Sequence, residues 1–160
     1  NSPMKRVNPA MLHLTYHGMR TLASFDPIRY FILPFQDAIP FGCAVIEVQP
    51  KETLKYLGIT DVSYVSKDKH DENEAEAHRD KLVQNLMKVK ERKALTLKEI
   101  PALIIQKSFL HNFRHSDRAI NALVSCYTTA MYSAVPEHFD DPFSADSLEV
   151  LLEGWVYRAK

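Results

Sequence analysis

The stretch DENEAEAHRDKLVQNLMKVKERK, residues 71–93, decides the fold. It contains neither proline nor glycine and consists mostly of residues with high helix propensity. Residues 68–80 carry six acidic and two basic side chains, whereas residues 81–98 carry one acidic and six basic ones, the order that the helix dipole favours. The pattern predicts a long amphipathic helix over 71–93. Its narrow apolar stripe, at helical spacing, is Ala75, Leu82, Val83, Leu86 and Val89.

Helix signals continue from this stretch to the end of the chain. Proline at the first position favours a helix over 101–113. A second helix is predicted to begin after Ser116, a good N-cap residue, and to end at Pro136. A last helix is predicted to begin after Ser144. Residues 71–160 are therefore expected to form a helical half of about four helices.

The N-terminal half has a mixed pattern. Asn8 and Pro9 are typical of a helix start, and this helix would turn Met19 and Leu22 toward the core. Two runs rich in aromatic and β-branched residues follow, joined by a short polar connection, which favours a hairpin. We therefore expect a small antiparallel sheet of about three strands within residues 4–66. The predicted elements are helices over 9–24 and 50–57 and strands over 29–35, 41–48 and 60–66.

Composition is that of one globular domain. The chain has 160 residues, of which 46% are hydrophobic and 25% are charged. We predict an α+β, mostly α fold, with a mixed half, 4–66, packed against the helical half in one domain over 4–160. Residues 1–3 are expected to be a remnant of the expression vector ahead of a native start at Met4.

Several function classes are disfavoured by residue usage. Twenty basic residues balance twenty acidic ones, so no whole-chain field favours nucleic acid or an anionic membrane. The four glycines are scattered, which excludes a P-loop or a dinucleotide-binding glycine loop. Cys43 and Cys126 lie in apolar surroundings, and apolar runs are far shorter than a membrane span. These features predict a cytoplasmic protein with no membrane partner.

One acidic pattern suggests metal-dependent hydrolysis. Asp37 is followed ten residues later by Glu47, Val48 and Gln49, at the end of an apolar run. This pattern resembles the core of the restriction-type nuclease superfamily, where two carboxylates on adjacent strands hold Mg²⁺. The resemblance covers about thirty residues and implies a catalytic role for Asp37, Glu47 and Gln49 with Mg²⁺ as cofactor. Gln49 departs from it because lysine is usual there. The alternative is that Asp37 lies in the turn of a hairpin and that Glu47 lies on the solvent-facing side of its strand, without a shared metal ion.

Two histidine pairs have a spacing that suits a metal. His13 and His17, and likewise His111 and His115, are four residues apart in predicted helices. Two imidazoles at this spacing lie on one helix face and can share Zn²⁺ or iron. Neither pair carries the central glutamate of the HExxH motif. The alternative is an ordinary surface or partly buried position for each pair.

Two basic clusters could contact phosphate if the helices bring them together. The alternative is a solvated helix end that complements the helix dipole. The tentative nucleic-acid-binding residues are Lys88, Lys90, Arg92 and Lys93 in the first cluster and Arg114 and Arg118, beside the second histidine pair, in the other.

The leading interpretation is a non-enzymatic interaction or regulatory domain that binds a protein partner through helical surfaces of residues 71–160 and needs no cofactor. A nucleic-acid-associated factor and a Mg²⁺-dependent nuclease are the alternatives. A homodimer is also expected to be accessible, because the acidic end of the long helix could meet the basic end of a second copy.

Overall fold

The computed structural model describes residues 9–59, 64–65, 72–91, 100–142 and 156–159, with side chains described from Tyr16 onward. These residues are mostly helical and carry two small sheets, so the predicted α+β, mostly α class is confirmed. The chain divides into two compact units, Asn1–Val45 and Ile46–Lys160. Within the described ranges, every helix is too short or too polar to cross a lipid bilayer.

The first unit contains one helix and two short strands. Helix α1 is Pro9–Ala23 and begins at the proline, as predicted. Strands β1, Tyr30–Ile32, and β2, Cys43–Val45, pair in a parallel register that aligns Tyr30 with Cys43. The predicted antiparallel pairing is therefore wrong.

Two turns between the strands explain the parallel pairing. The backbone N–H of Gln36 donates to the Ile32 carbonyl at 2.9 Å, and that of Gly42 donates to the Ile39 carbonyl at 2.8 Å. Each turn reverses the chain, and two reversals bring β2 back in the direction of β1. The second turn requires glycine, because a Cβ on Gly42 would lie 2.9 Å from the Cβ of Ile39.

The second unit consists of four α-helices and a two-stranded parallel sheet among its described residues. This small sheet joins the two ends of the unit, because β3 is aligned with the strand near the C-terminus. The predicted sheet of about three strands is thus corrected to two separate parallel pairs. The predicted strand over 60–66 and helix after Ser144 fall largely outside the described residues. The elements are β3 (Glu47–Val48), α2 (Pro50–Tyr56), α3 (Glu72–Met87), α4 (Lys107–Arg114), α5 (Asp117–Ala134) and β4 (Val156–Tyr157).

Local signals set the ends of α2 and α5 as predicted. Pro50 occupies the first turn of α2, and Gly58 follows it with a φ of 67°, a left-handed conformation that glycine adopts readily. Ser116 caps α5 by accepting a hydrogen bond from the backbone N–H of Ala119 at 3.2 Å. Pro136 follows the end of α5 and begins a short 3₁₀ turn.

The predicted helix over 101–113 is wrong in its first half. Residues 101–106 are not helical, and α4 begins only at Lys107. The β-branched pair Ile104 and Ile105 explains the difference, because such side chains lose rotamer freedom in a helix and favour an extended chain.

The core of the second unit forms between α3, α5 and α2. All five residues of the predicted α3 stripe are buried, so that part of the prediction is confirmed. The hydroxyls of Thr53 on α2 and Thr128 on α5 share a buried hydrogen bond of 2.8 Å. Helix α5 contributes the buried side chains Ile120, Val124, Tyr127 and Met131.

Candidate functional site

A cluster of charged side chains joins α3 to the C-terminal end of α4. One carboxylate oxygen of Glu76 lies 2.6 Å from Nδ1 of His115, and the other accepts a hydrogen bond from Nε of Arg114 at 3.1 Å. A guanidinium nitrogen of Arg114 also lies 3.7 Å from a carboxylate oxygen of Asp80. We call these four residues the α3–α4 seam. Arg114 was singled out from the sequence as a nucleic-acid contact and the adjacent His115 as a metal ligand; the seam adds Glu76 and Asp80 as their partners.

The seam stabilises the charged form of Glu76. Partial desolvation works to raise the pKa of this carboxyl, but hydrogen bonds and charge from His115 and Arg114 outweigh it and hold the pKa below its ordinary value. The Arg114 guanidinium and the His115 ring are thereby matched by carboxylates of α3.

A buried arginine lies beneath the seam and fixes the end of α4. Arg79 is 2% exposed, and its Nε donates to the backbone carbonyl of Arg114 at 2.6 Å. One guanidinium nitrogen of Arg79 donates to the carbonyl of Tyr64 at 3.1 Å, and the other pairs with Glu72. The carbonyl of Arg114 is in the last turn of α4, where carbonyls have no hydrogen-bond donor within their own helix. Arg79 supplies that donor.

Sequence reasoning missed this role, although a signal was present. Arg79 lies four residues after Ala75 and three before Leu82, which places it within the apolar stripe of α3. A charged residue at such a position must be buried with partners, so the stripe itself indicates a buried ion pair.

The outer face of α4 is incompletely covered. The helix contacts α3 and α5, yet none of its eight residues is buried. Leu110 and Phe113 are half-buried, and Phe109 is 53% exposed. Lys107 and His111 are exposed on the same helix. We call Phe109, Leu110 and Phe113, which lie on one side of the helix, the α4 face; Lys107 and His111 are each two residues from Phe109 and lie on the other side.

The first of the two predicted basic clusters is only partly within the described residues. Lys88 and Lys90 are exposed just beyond the end of α3, and Arg92 and Lys93 lie outside the described residues. Arg114 pairs with Asp80, which precedes Lys88 by eight residues, or about 12 Å of helix rise. Arg118 is exposed in the first turn of α5. Nucleic-acid binding by these residues stays a prediction.

The histidine pairs keep their predicted spacing on helices. The ring centroids of His111 and His115 are 4.3 Å apart, with Glu76 beside His115. His13 and His17 are one turn apart on α1, although the side chain of His13 is outside the described set. Within the part of the chain that the structure describes, no three His, Cys, Asp or Glu side chains group tightly enough to hold a metal ion. Metal binding by either pair stays a prediction.

The residues of the nuclease-like pattern are divided between the two units. Asp37 is exposed between β1 and β2 of the first unit, whereas exposed Glu47 and Gln49 belong to the second. The apolar run before Glu47 is on β2, and Glu47 itself is on β3, in the other sheet. The nuclease hypothesis stays a prediction.

Two exposed apolar regions were not expected from the sequence. Met19 and Leu22 on α1 were predicted to face the core, but both are exposed, Met19 to 67%. Ile104, which falls within the predicted helix over 101–113, is 85% exposed. A β-branched pair after Pro101 was the available signal for the second region.

Comparisons of the chain with family models, curated proteins and solved structures found no match.

Proposed function

We propose that the chain is a non-enzymatic protein-interaction domain with a regulatory role, whose docking surface is the α4 face. The observation that carries this proposal is that α4 buries none of its residues, although Phe109, Leu110 and Phe113 lie on one side of it. An amphipathic helix with an open apolar face in an otherwise packed unit is typical of a protein-binding site.

The contacts beneath α4 support this role. A helix of eight residues is too short to be stable by itself in water and needs tertiary contacts. For α4 the polar contacts run from Arg79 to the Arg114 carbonyl and from Glu76 to the Arg114 side chain, and Leu110 and Phe113 are half-buried. The Phe109 side chain takes no part in these hydrogen bonds and is 53% exposed, so about half of its surface is open to a partner.

Charge indicates which partner chemistry would fit. Residues 101–116 contain no aspartate or glutamate. Lys107 is exposed and makes no ion pair among the described residues, and His111 lies one turn further on. Because Lys107 and Phe109 lie on opposite sides of α4, the partner surface would have to wrap around the helix, with an apolar centre over Phe109 and acidic residues at its rim near Lys107. We expect the partner to have this chemistry.

The test compares matched variants of the full chain. Immobilised wild type, Phe109→Glu and Met87→Glu are used to capture proteins from an extract of the source cells, quantified by mass spectrometry. Met87, on α3 outside the α4 face, is 38% exposed and controls for a new surface charge. We expect the captured amount of a defined set of proteins to fall at least tenfold with Phe109→Glu. With Met87→Glu the captured amount of the same proteins should be unchanged.

Lys107→Glu tests whether the partner carries acidic residues near Lys107. It should reduce the capture of the same set, because an acidic rim would meet a carboxylate in place of an ammonium group. Circular dichroism of each variant checks that the fold is retained. Capture that is unchanged by Phe109→Glu, or reduced equally by Met87→Glu, would overturn the proposed docking surface.

A further inference from the structure

An extended segment lies between the core and α4. Residues 101–106 have neither helix nor turn, and the backbone of Gln106 has the extended angles φ −66° and ψ 139°. Burial alternates along the segment with a period of two, as in a β-strand. The half-buried side chains are Pro101, Leu103 and Ile105, and the exposed ones are Ala102, Ile104 and Gln106.

The segment is anchored at both ends and open in the middle. The hydroxyl of Tyr127 donates to the Pro101 carbonyl at 3.0 Å, and the backbone N–H of Phe109 donates to the Gln106 carbonyl at 3.0 Å. Between these anchors, the N–H and C=O groups of residues 102–105 make no hydrogen bond with other described residues. The segment thus presents a row of unpaired backbone groups, the property of an exposed strand edge.

The residue types that usually guard a strand edge stand only at the ends of the segment, as Pro101 and the neighbouring Lys107. Natural edges are usually guarded by charged residues, proline or a bulge. Residues 102–105 are Ala-Leu-Ile-Ile, without charge or proline, and Ile104 is 85% exposed. Such a short, uncharged, β-prone run is the kind of sequence that pairs with its own copies.

We propose that residues 101–106 of two copies of this chain pair as antiparallel strands, which gives a homodimer with a two-fold axis at Ile104. In this register Ile104 lies opposite Ile104, Leu103 opposite Ile105, and Ala102 opposite Gln106. The two exposed isoleucines bury each other, and the N–H and C=O groups of Ala102 and Ile104 bond to the other copy, because every second residue of a strand directs these groups toward a given neighbour.

The charge of Lys107 selects this direction of pairing. In the antiparallel register Lys107 lies opposite Pro101 of the second copy, and the two lysines are about 20 Å apart along the ribbon. A parallel pairing would place Lys107 beside Lys107 in a row that contains no acidic residue from 101 to 116. Like charges directly opposite each other destabilise strand pairing.

Sedimentation equilibrium of the full chain is the first test. We expect a concentration-dependent species of twice the 18.4 kDa chain mass, because a short ribbon gives a reversible dimer. Ile104→Lys, which would face itself across the axis, should weaken the dimer at least tenfold. Ile104→Pro suits an extended chain but removes one N–H donor. It should also weaken the dimer, because one backbone hydrogen bond between the two copies is lost from each strand. Met87→Lys is the control and should leave the dimer unchanged.

Cross-linking tests the register. In a Cys43→Ser, Cys126→Ser background, oxidation should link Ile104→Cys chains as disulfide dimers, because opposite Cβ atoms lie about 5 Å apart. Ala102→Cys should not cross-link, because the two 102 positions would be separated by about 14 Å. The native cysteines are replaced because both are exposed.

A wild-type chain that is monomeric at high concentration, or a dimer that Ile104→Lys leaves intact, would overturn the homodimer. Equal cross-linking at positions 102 and 104 would overturn the antiparallel register. The proposed docking function is separable, since Phe109→Glu should abolish partner capture while the dimer is retained.

Discussion

The two units of the chain treat their apolar side chains in opposite ways. Among the described side chains of the first unit, Phe31 and Pro34 are buried, whereas Tyr16, Met19 and Phe41 are exposed. In the second unit, α3 and α5 bury continuous stripes whose members include Leu82, Val124 and Met131, all at 0% exposure.

Size and topology account for the difference. A unit of about 45 residues buries a smaller fraction of its apolar surface than a unit of more than 100 residues does. The second unit has several helices that cover one another, so most of the folding free energy should reside there.

Truncation of a buried α3 side chain should have the largest effect. Leu82→Ala is expected to lower the free energy of unfolding by about 3 kcal/mol, because it removes a buried side chain and leaves a cavity. Met19→Ala on α1 should change it by less than about 0.5 kcal/mol. Urea denaturation measures both. A comparable loss in Met19→Ala would contradict the contrast between the units.

Removal of the buried Arg79 guanidinium should cause the second-largest loss of unfolding free energy. Arg79→Met is expected to cost about 2 kcal/mol, because the carbonyls of Arg114 and Tyr64 lose their donor. Arg29→Met is the matched variant in the first unit, where the Arg29 side chain is 79% exposed and pairs with Asp26. It should have no measurable effect in the same denaturation experiment. Equal losses would mean that burial of Arg79 contributes nothing.

Loss of the α5 cap should have a smaller effect. Ser116→Ala is expected to lower the free energy of unfolding by about 1 kcal/mol, because the N–H of Ala119 loses its acceptor. Thr21→Ala in the first unit removes an exposed hydrogen bond to the His17 carbonyl and should leave the main transition unchanged. Thermal unfolding followed at 222 nm compares the two. An unchanged midpoint in Ser116→Ala would show that the cap contributes nothing.

The pH dependence of the seam should give the smallest effect. Because the pKa of Glu76 is lowered from 4.5 in the folded chain, its stabilising contribution is present above that value and is lost as pH falls through the lowered pKa. Glu76→Gln should therefore be less stable than wild type near neutral pH, and the difference should vanish in strong acid. Denaturation at a series of pH values measures it. A difference that persists in strong acid would mean that the carboxylate charge is not its source.

Local sequence signals predicted much of the fold. The bounds of α1, α2 and α5 were read from prolines, a glycine and a capping serine, which act on their own neighbours. Residue types at the candidate site were also recognised, since Arg114 and His115 were singled out. Their partners were not, because Glu76 and Asp80 are more than thirty residues away and any acidic residue of the chain could have paired with them.

The starts of α1, α2 and α5 and the buried face of α3 follow from the sequence, because caps and a 3.6-residue period are properties of contiguous residues. The parallel sheets and the burial of Arg79 against α4 follow only from the tertiary structure. Each of these depends on groups distant in sequence, whose pairing is set by the packing of whole elements rather than by local propensity.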